Sequence, residues 1–481
     1  MQFHLLSFEG PDLYARAGGI ATRVVGLAEA LAKSGFDTHL WFIGDPSGTA
    51  VEQRGRLTLH RWCQWISEYA PLGVYQDEEG KERDFAASLP PYLVKEVLGP
   101  HLEAGGEAVV LAEEWHTAHA VIHLDWLLRR SGLRDRAVLV WTANNWFGFD
   151  RVDWPRLSSA ARIATVSHYM RHCMEPLGVD PIVIPNGLSA EAFVPPDREA
   201  FEALSRRASG RTLLAKMARW DPDKGWLAGI EITGMLKQRG ARPLLLARGG
   251  SEAYGEAVLA HARSRGLVIC QQRATSPGVA GLLGAVEAGR ESDIVVLESH
   301  VNAEARSVLL RGADVVLANS RHEPFGLVGL ETMALGGIAC TGATGEEYAH
   351  AGQNALVIPS EKPGEFIAQF DALFAHADRV EAMRRAAQQT ARERTWPRVI
   401  GSYLLPFVGR FGGFAIDAQW LEQPVDFARR TRWPSKLEST DSVGSGAWSS
   451  RLSAIRACSE GRSTSWVSST SPPMPTTSPI R

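Results

Sequence analysis

The amino-acid sequence predicts an α/β protein built from two similar doubly wound domains that face each other across a central cleft. Three observations carry this reading. Residues 1 to about 410 alternate short apolar, β-branched or aromatic runs with longer stretches of helical period, the pattern of parallel strands joined by helices. A polar stretch with Pro195 and Pro196, residues 189–212, interrupts the rhythm, after which the series starts again. A chain of 481 residues, 45% of them hydrophobic, can bury two cores.

The first strand is read at 3–8. After a loop, Ile20, Val24, Leu27 and Leu31 recur at helical spacing, and Gly35 stands where a C-terminal cap belongs. Strand character returns at 39–43, and buried parallel strands follow at 109–111, 138–141, 163–166 and 182–184. The second series places strands at 213–217, 243–247, 267–269, 294–297, 315–318 and 356–358. The resulting boundaries are 1–195 for the first domain, 196–395 for the second, 396–415 for a terminal helix and 416–481 for a tail. From Ser435 onward, fourteen of forty-seven residues are Ser and no apolar period survives, which predicts disorder without chemistry.

Charge and cysteine usage exclude several classes. Fifty-one Lys and Arg against fifty-four Asp and Glu give a formal charge of −3, which leaves no basic excess for a nucleic-acid partner. Arg129, Arg130, Arg134 and Arg136 form only a small cluster, read as a solvated helix end. Five scattered cysteines without a CxxC pair signal neither a disulfide framework nor a zinc site and fit a reducing cytoplasm. No stretch reaches eighteen uninterrupted apolar residues and the first ten residues lack a positive n-region, so no transmembrane or export segment is expected.

Open α/β sheets bind ligands beyond the carboxyl ends of their strands, so the chemistry is sought there. Arg321-His-Glu-Pro-Phe-Gly-Leu-Val-Gly-Leu-Glu331 follows the strand at 315–318 and opens a helix. A helix starting near Phe325 turns the N–H groups of Gly326 and Leu327 toward an anion, while Glu323 and Glu331 can accept hydrogen bonds from sugar and ribose hydroxyls; the alternative is a helix with one capping and one surface carboxylate. Arg219 and Lys224, in Met217-Ala-Arg-Trp-Asp-Pro-Asp-Lys-Gly225, follow the strand at 213–217 and can neutralise a departing diphosphate without a metal. The alternative is a pair of solvated cations beside Asp221 and Asp223. In the first domain, Gly18-Gly19 permits close backbone approach to a ligand, or makes a plain turn; neither a GxGxxG nor a P-loop pattern is present. Glu113-Glu114-Trp-His116-Thr puts His116 at the cleft edge, as a polar cleft residue or as a cap or partner of a buried group. His119 and His123 share its helix, but no HExxH accompanies them and no metal site is expected.

Together these residues resemble the retaining glycosyltransferases of the GT-B fold, two Rossmann-like domains around a cleft, the group that includes glycogen and starch synthases. The resemblance spans residues 1 to about 410 and is most specific at Ser320-Arg-His-Glu-Pro-Phe-Gly-Leu with Glu331, which looks like the E-x7-E motif. It implies that Arg219 and Lys224 bind the donor diphosphate, Glu331 the ribose and Glu323 the transferred sugar, with Phe325, Gly326 and Leu327 at the motif's turn and backbone contacts from Gly326 and Leu327. Gly18-Gly19 is similar to the N-terminal glycine loop, and Glu114-Trp-His116-Thr resembles an Asp-Trp-His-Thr segment that would turn His116 to the reacting sugar. Thr142-Ala-Asn-Asn145, Ser167 and Ile184-Pro-Asn-Gly187 fall at family loop positions, with ordinary turns as the alternative, and Trp396 opens a helix like the one that crosses back to the first domain. Arg16-Ala-Gly18-Gly19 and Arg248-Gly-Gly-Ser-Glu252 depart from the glycogen synthase pattern. The insertion 51–98, with Trp62, Trp65, Tyr69 and Tyr75, is read either as an acceptor pocket or as core.

The resemblance implies hexose transfer, of glucose or a related sugar, from a nucleotide-diphosphate sugar to a sugar, polysaccharide or other hydroxyl acceptor, with no resident cofactor. Peripheral membrane contact stays open. The alternatives are a sugar-nucleotide epimerase on the same fold and a binding protein without turnover.

Overall fold

The structure, a computed structural model, describes residues 1–412 apart from 273–275, 299–300 and 361. The expected tail 416–481 and the last residues of the expected terminal helix lie outside the described residues.

The first domain holds eight strands: β1 (Gln2–Leu6), β2 (Asp37–Ile43), β3 (Val51–Arg54), β4 (Leu57–Trp62), β5 (Ala108–Glu113), β6 (Ala137–Ala143), β7 (Arg162–Thr165) and β8 (Ile182–Val183). They run β3-β4-β2-β1-β5-β6-β7-β8, and only β3 is antiparallel to its neighbour. The second domain holds β9 (Thr212–Met217), β10 (Pro243–Arg248), β11 (Ile269–Gln272), β12 (Ile294–Leu297), β13 (Val315–Ala318), β14 (Ala339–Thr341) and β15 (Leu356–Val357). Their order is β11-β12-β10-β9-β13-β14-β15, all parallel. Every residue of β5 and β6 is buried, as expected of strands with helices on both faces. Each sheet is wound outward from its first strand, so the switch points fall between β1 and β5 and between β9 and β13.

The helix Gly19–Lys33 buries Val24, Leu27 and Leu31 and ends where Gly35, at φ +95°, lets Phe36 N reach Leu31 O at 3.2 Å. Besides the helices of the insertion, Gln64–Tyr69 and Glu78–Tyr92, several elements were not read from the sequence. The β3–β4 hairpin escapes because β3 is a charged, exposed edge of the pattern Val-Glu-Gln-Arg. β14 has three small residues, too few to show a period. Within 189–212 lies the helix Arg198–Arg207, which Asp197 caps and which buries Ala200 and Leu204 against Leu213.

Two chain crossings join the domains side by side: Leu188 N donates to Arg394 O at 2.7 Å and Trp396 N to Leu188 O at 3.1 Å. Trp396 then leads a helical segment that reaches Gly412 and packs Leu404, Leu405 and Val408 into the first domain's core with Phe3 and Leu5. Its indole lies so close to Gly26 and Gly187 that a Cβ there would come within 2.3 and 2.5 Å of it. Both glycines are fixed by this contact. Among the described residues no helix is long and apolar enough to cross a membrane.

Candidate active site

The first domain presents carboxylates at its switch point. Glu9, just past β1, is buried, and its Oε2 accepts from Gly18 N at 2.9 Å and Ala21 N at 3.0 Å. Glu9 therefore caps the helix that the glycine loop opens, satisfying donors that a ligand would otherwise take. Tyr75 of the insertion donates to Glu9 Oε1 at 2.6 Å. Lys81 braces that insertion: its buried ammonium donates to Tyr14 Oη and Gln76 O at 2.7 Å and to Gly73 O and Val74 O at 3.1 Å. Of the other insertion aromatics, Trp62 is tied to Ser88 Oγ at 2.7 Å, while Trp65 and Tyr69 stand exposed.

Glu114 follows β5 at φ 69°, ψ 166°, a region open almost only to glycine. The surrounding fold holds it there: its own N–H donates to Thr142 O at 3.0 Å, its carbonyl accepts from Trp141 Nε1 at 2.9 Å, and its Oε1 accepts from Asn144 N at 2.7 Å. Burial, with Glu113 and Glu9 nearby, pushes its carboxyl up to about 8. Glu113 is paired with buried Arg23, Nε to Oε2 at 3.1 Å, and Arg23 also donates to Asn186 Oδ1 at 2.8 Å. Asn144 and Asn186 thus serve the buried network, and Ser167 caps the helix His168–Met174.

His116 is buried between Phe8 and Trp115, with ring centroids 4.2 and 3.9 Å away. Its Nε2 lies 2.7 Å from Glu78 Oε1. Burial lowers its pKa against the opposing pull of Glu78, so the neutral ring donates Nε2–H and keeps the lone pair on Nδ1, which is buried with no partner among the described residues. His119 Nδ1 meets Glu82 Oε1 at 2.8 Å and His123 Nδ1 meets Ala86 O at 2.9 Å. Positions 116, 119 and 123 thus dock on 78, 82 and 86 of the helix Glu78–Tyr92, one helical face against another. The three-histidine spacing is a zipper to the insertion.

In the second domain, Lys224 Nζ donates to Glu323 Oε2 at 2.8 Å, both side chains about one-fifth exposed (21% and 20%). Arg219 is exposed, and its carbonyl accepts from Trp226 Nε1 at 2.7 Å. The helix of the motif starts at Leu327, two residues later than expected, because Gly326 takes φ +79° and breaks the turn. Tyr348 Oη donates to Gly326 O, and Phe325 is buried with its ring 5.8 Å from Tyr348, so its side chain supports the turn from below. Gly345 N donates to Glu323 O at 2.8 Å, at a place where a Cβ would stand 2.1 Å from Pro324 O. Glu346 packs under Gly326, and burial together with Glu323 pushes its carboxyl up to about 8. Glu331 pairs with Arg306 Nη2; burial raises its pKa while Arg306 pulls it down.

The two halves meet. Gly19 faces Leu327, to which a Cβ would lie 3.8 Å from Cδ1. Tyr169 Oη stands 3.0 Å from His322 Nδ1, and Glu347 accepts from the N–H groups of His168 and Tyr169. Lys224 and Glu323 are in direct contact, and Gly19 lies near enough to Leu327 at the motif's helix start that a side chain there would touch it. Arg219 is held through its carbonyl by Trp226, His116 by Glu78 and Glu331 by Arg306. Glu9, Arg23, Arg306 and Glu346 were not read from the sequence. Glu9 was legible as a strand-end carboxylate and Arg23 as a cation on the apolar face of its helix; Arg306 and Glu346 carry no local signal.

Residues 290–390 match the family model of the group 1 glycosyl transferases. D-inositol 3-phosphate glycosyltransferase of Geodermatophilus obscurus is 24% identical over 250 residues, 50% of this chain and 51% of the relative. The chain thus spans about half the length of that curated relative. Among solved structures, sucrose-phosphate synthase from Thermosynechococcus elongatus aligns with a TM-score of 0.60 at 18% identity, over 86% of this chain and 100% of that one. The catalytic domain of starch synthase IV from Arabidopsis thaliana, bound to ADP and acarbose, aligns at 0.62 with 14% identity, over 86% and 99%.

Proposed function

On a GT-B frame whose residues 290–390 match the group 1 glycosyltransferases, we propose that this chain transfers a hexose from a nucleoside-diphosphate sugar to an acceptor hydroxyl with retention of anomeric configuration. The observation that carries the reading is the Lys224–Glu323 contact at 2.8 Å, which puts a cation for the diphosphate against an acceptor for sugar hydroxyls. In the step itself, the bond from the anomeric carbon to the diphosphate oxygen breaks as the acceptor oxygen bonds to that carbon. The acceptor's proton passes to the departing diphosphate. Arg219 and Lys224 neutralise the leaving group, Glu323 and the free Nδ1 of His116 orient the sugar, Glu331 accepts from the ribose, and Gly19 and Leu327 close the cleft around the donor. No second carboxylate needs to form a covalent intermediate.

The relatives suggest the panel to test, since their names include an inositol phosphate glycosyltransferase and a sucrose-phosphate synthase. The full chain incubated with UDP-, ADP- and GDP-glucose, with and without sugar, sugar-phosphate and inositol-phosphate acceptors, releases nucleoside diphosphate from one donor and faster with one acceptor. Proton NMR of the product reads the anomeric outcome. Nucleotide binding without release under every pairing would favour a binding protein, and inversion at the anomeric carbon would overturn the retaining assignment.

A further inference from the structure

Lys216 interrupts an apolar strand, Leu213-Leu-Ala-Lys-Met217, and is only 1% exposed. Its Nζ donates to Asn319 Oδ1 at 2.7 Å and Leu317 O at 3.2 Å and lies 5.3 Å from the centroid of the Trp226 ring. Among the described residues no carboxylate pairs with it. A buried ammonium held by neutral dipoles and one aromatic face is costly for packing alone, which asks what its charge serves.

Its partner leads to the candidate donor site. Asn319 Nδ2 donates to Gly225 O at 3.2 Å. Gly225 turns at φ +64°, so close to Asn319 that a Cβ would stand 2.1 Å from its carbonyl oxygen. Lys224, the cation paired with Glu323, is the residue before that turn. Lys216, Asn319 and Gly225 form one continuous stack leading to Lys224.

We propose that Lys216 is a third cation of the diphosphate site, a positioning residue that holds the Lys224 turn through Asn319 and Gly225 and adds its buried charge to the attraction for the bound diphosphate. This rests on the donor site proposed above. The groups around Lys216 are few: Leu317 O and Asn319 from β13 and its following loop, the Cys340 thiol from β14, Lys224 and Glu323 from the two cleft loops, and the Trp226 ring from the helix Trp226–Gln238. Its neighbour on β10 is Ala247. Burial, reinforced by Lys224 and opposed by Cys340 and Glu323, brings the Lys216 ammonium down to about 7. Burial pushes the Cys340 thiol itself up to about 12.

A diphosphate arriving at Lys224 favours the charged form of Lys216, so nucleotide binding and protonation strengthen each other reciprocally. At pH 8.0 most Lys216 side chains are neutral before binding, and binding draws in a fraction of a proton, about 0.4 per nucleotide for a rise of one pKa unit. Calorimetric titration of the full chain with UDP, ADP and GDP at pH 8.0, in buffers of different ionisation enthalpy, reads this uptake directly. Wild-type protein takes up the proton. Lys216→Met takes up none and binds about tenfold more weakly at pH 6.5, with the gap closing by pH 9. Asn319→Asp places a carboxylate against Nζ, keeps the ammonium charged throughout, and also abolishes the uptake, which covers the case in which Lys216→Met fails to fold. Wild-type binding without uptake, or uptake undiminished in both variants, overturns this inference alone. Binding of none of the three nucleotides overturns the donor site with it.

Discussion

Acid should weaken the first domain through one histidine in particular. His4, His39 and His60 form a ladder across β1, β2 and β4: His4 stacks on His39 at 4.6 Å, His39 Nδ1 lies 3.0 Å from His60 Nε2, and His60 lies flat on Trp41 at 3.6 Å. Burial, and then His39, lower His60 from 6.5 to about 3. The sign follows from the unfolded state, which binds a proton below about 6.5 while the folded state does not: the stability is present above that pH and is lost on acidification. At pH 5.0, 1.5 units below 6.5, the loss amounts to about 2 kcal/mol. Total stability does not display this cleanly, because Glu114 and Glu346 act in the opposite direction. Their folded values near 8 make the native state the better proton binder between about 8 and 4.5, so they gain stability over the same range. The clean quantity is the difference between wild-type protein and His60→Gln, followed by hydrogen exchange of peptides from 37–43 and 57–62 in rising urea. The variant's stability penalty should shrink by about 2 kcal/mol between pH 7.5 and pH 5.0. A penalty of the same size at both pH values would show that His60 is protonated in the folded sheet and would refute the argument.

Three further outcomes follow from the site. Lys224→Ala should lower kcat/KM by at least about a hundredfold in the nucleotide-release assay while changing unfolding free energy by less than about 1 kcal/mol, since the ion pair is partly exposed; wild-type rates would remove Lys224 from the site. Arg23→Met leaves Glu113 as an unpaired buried charge and should cost about 3–5 kcal/mol in urea unfolding, with part of the loss recovered in the double variant with Glu113→Gln; a loss below about 1 kcal/mol would refute the pair's role in holding the first domain. Glu114→Gly relieves a backbone conformation worth about 1–3 kcal/mol and forfeits one hydrogen bond worth about 1 kcal/mol, so unfolding free energy should hold or rise. A drop beyond about 2 kcal/mol would show that the carboxyl, not the backbone, decides at that position.

The sequence made the alternation of elements legible because buried parallel strands are continuous apolar runs, and the structure places strands over the runs except at their ends and at 267–269, where β11 starts only at Ile269 and runs on through Gln272. Elements whose stability is wholly tertiary were hidden. β14 is held by burial between β13 and β15, with no period of its own, and β3 is an exposed edge whose pairing with β4 no alternation announces. At the site, Lys224 and Glu323 were legible as charges at strand ends, yet their mutual contact was not, because 99 residues separate them. The three histidines at 116, 119 and 123 show the converse limit. Helical spacing correctly put them on one face, but what that face meets, Glu78, Glu82 and Ala86, depends on how the insertion folds back.

The groups assigned to the donor already satisfy one another, and their pairs differ in how readily they exchange. Lys224 and Glu323 form a partly exposed ion pair worth no more than about 1 kcal/mol, whereas a charge-assisted contact to a phosphate contributes about 1.5–3 kcal/mol. On the proposed reading a diphosphate therefore displaces Glu323 downhill, and the same displacement frees Glu323 to accept from the hydroxyls of the transferred sugar. Glu331 is deeper, at 14% side-chain exposure, so on the proposed reading its exchange of Arg306 for a ribose leaves a guanidinium that needs a new acceptor. Glu9 is the least exchangeable. It is buried, caps two amides and is held by Tyr75, which Lys81 braces in turn. Displacing it would strand a carboxylate among apolar neighbours. On the proposed reading the glycine loop therefore serves the donor by its shape, with Gly19 admitting Leu327 and the ligand close to the backbone, while its capping amides stay with Glu9.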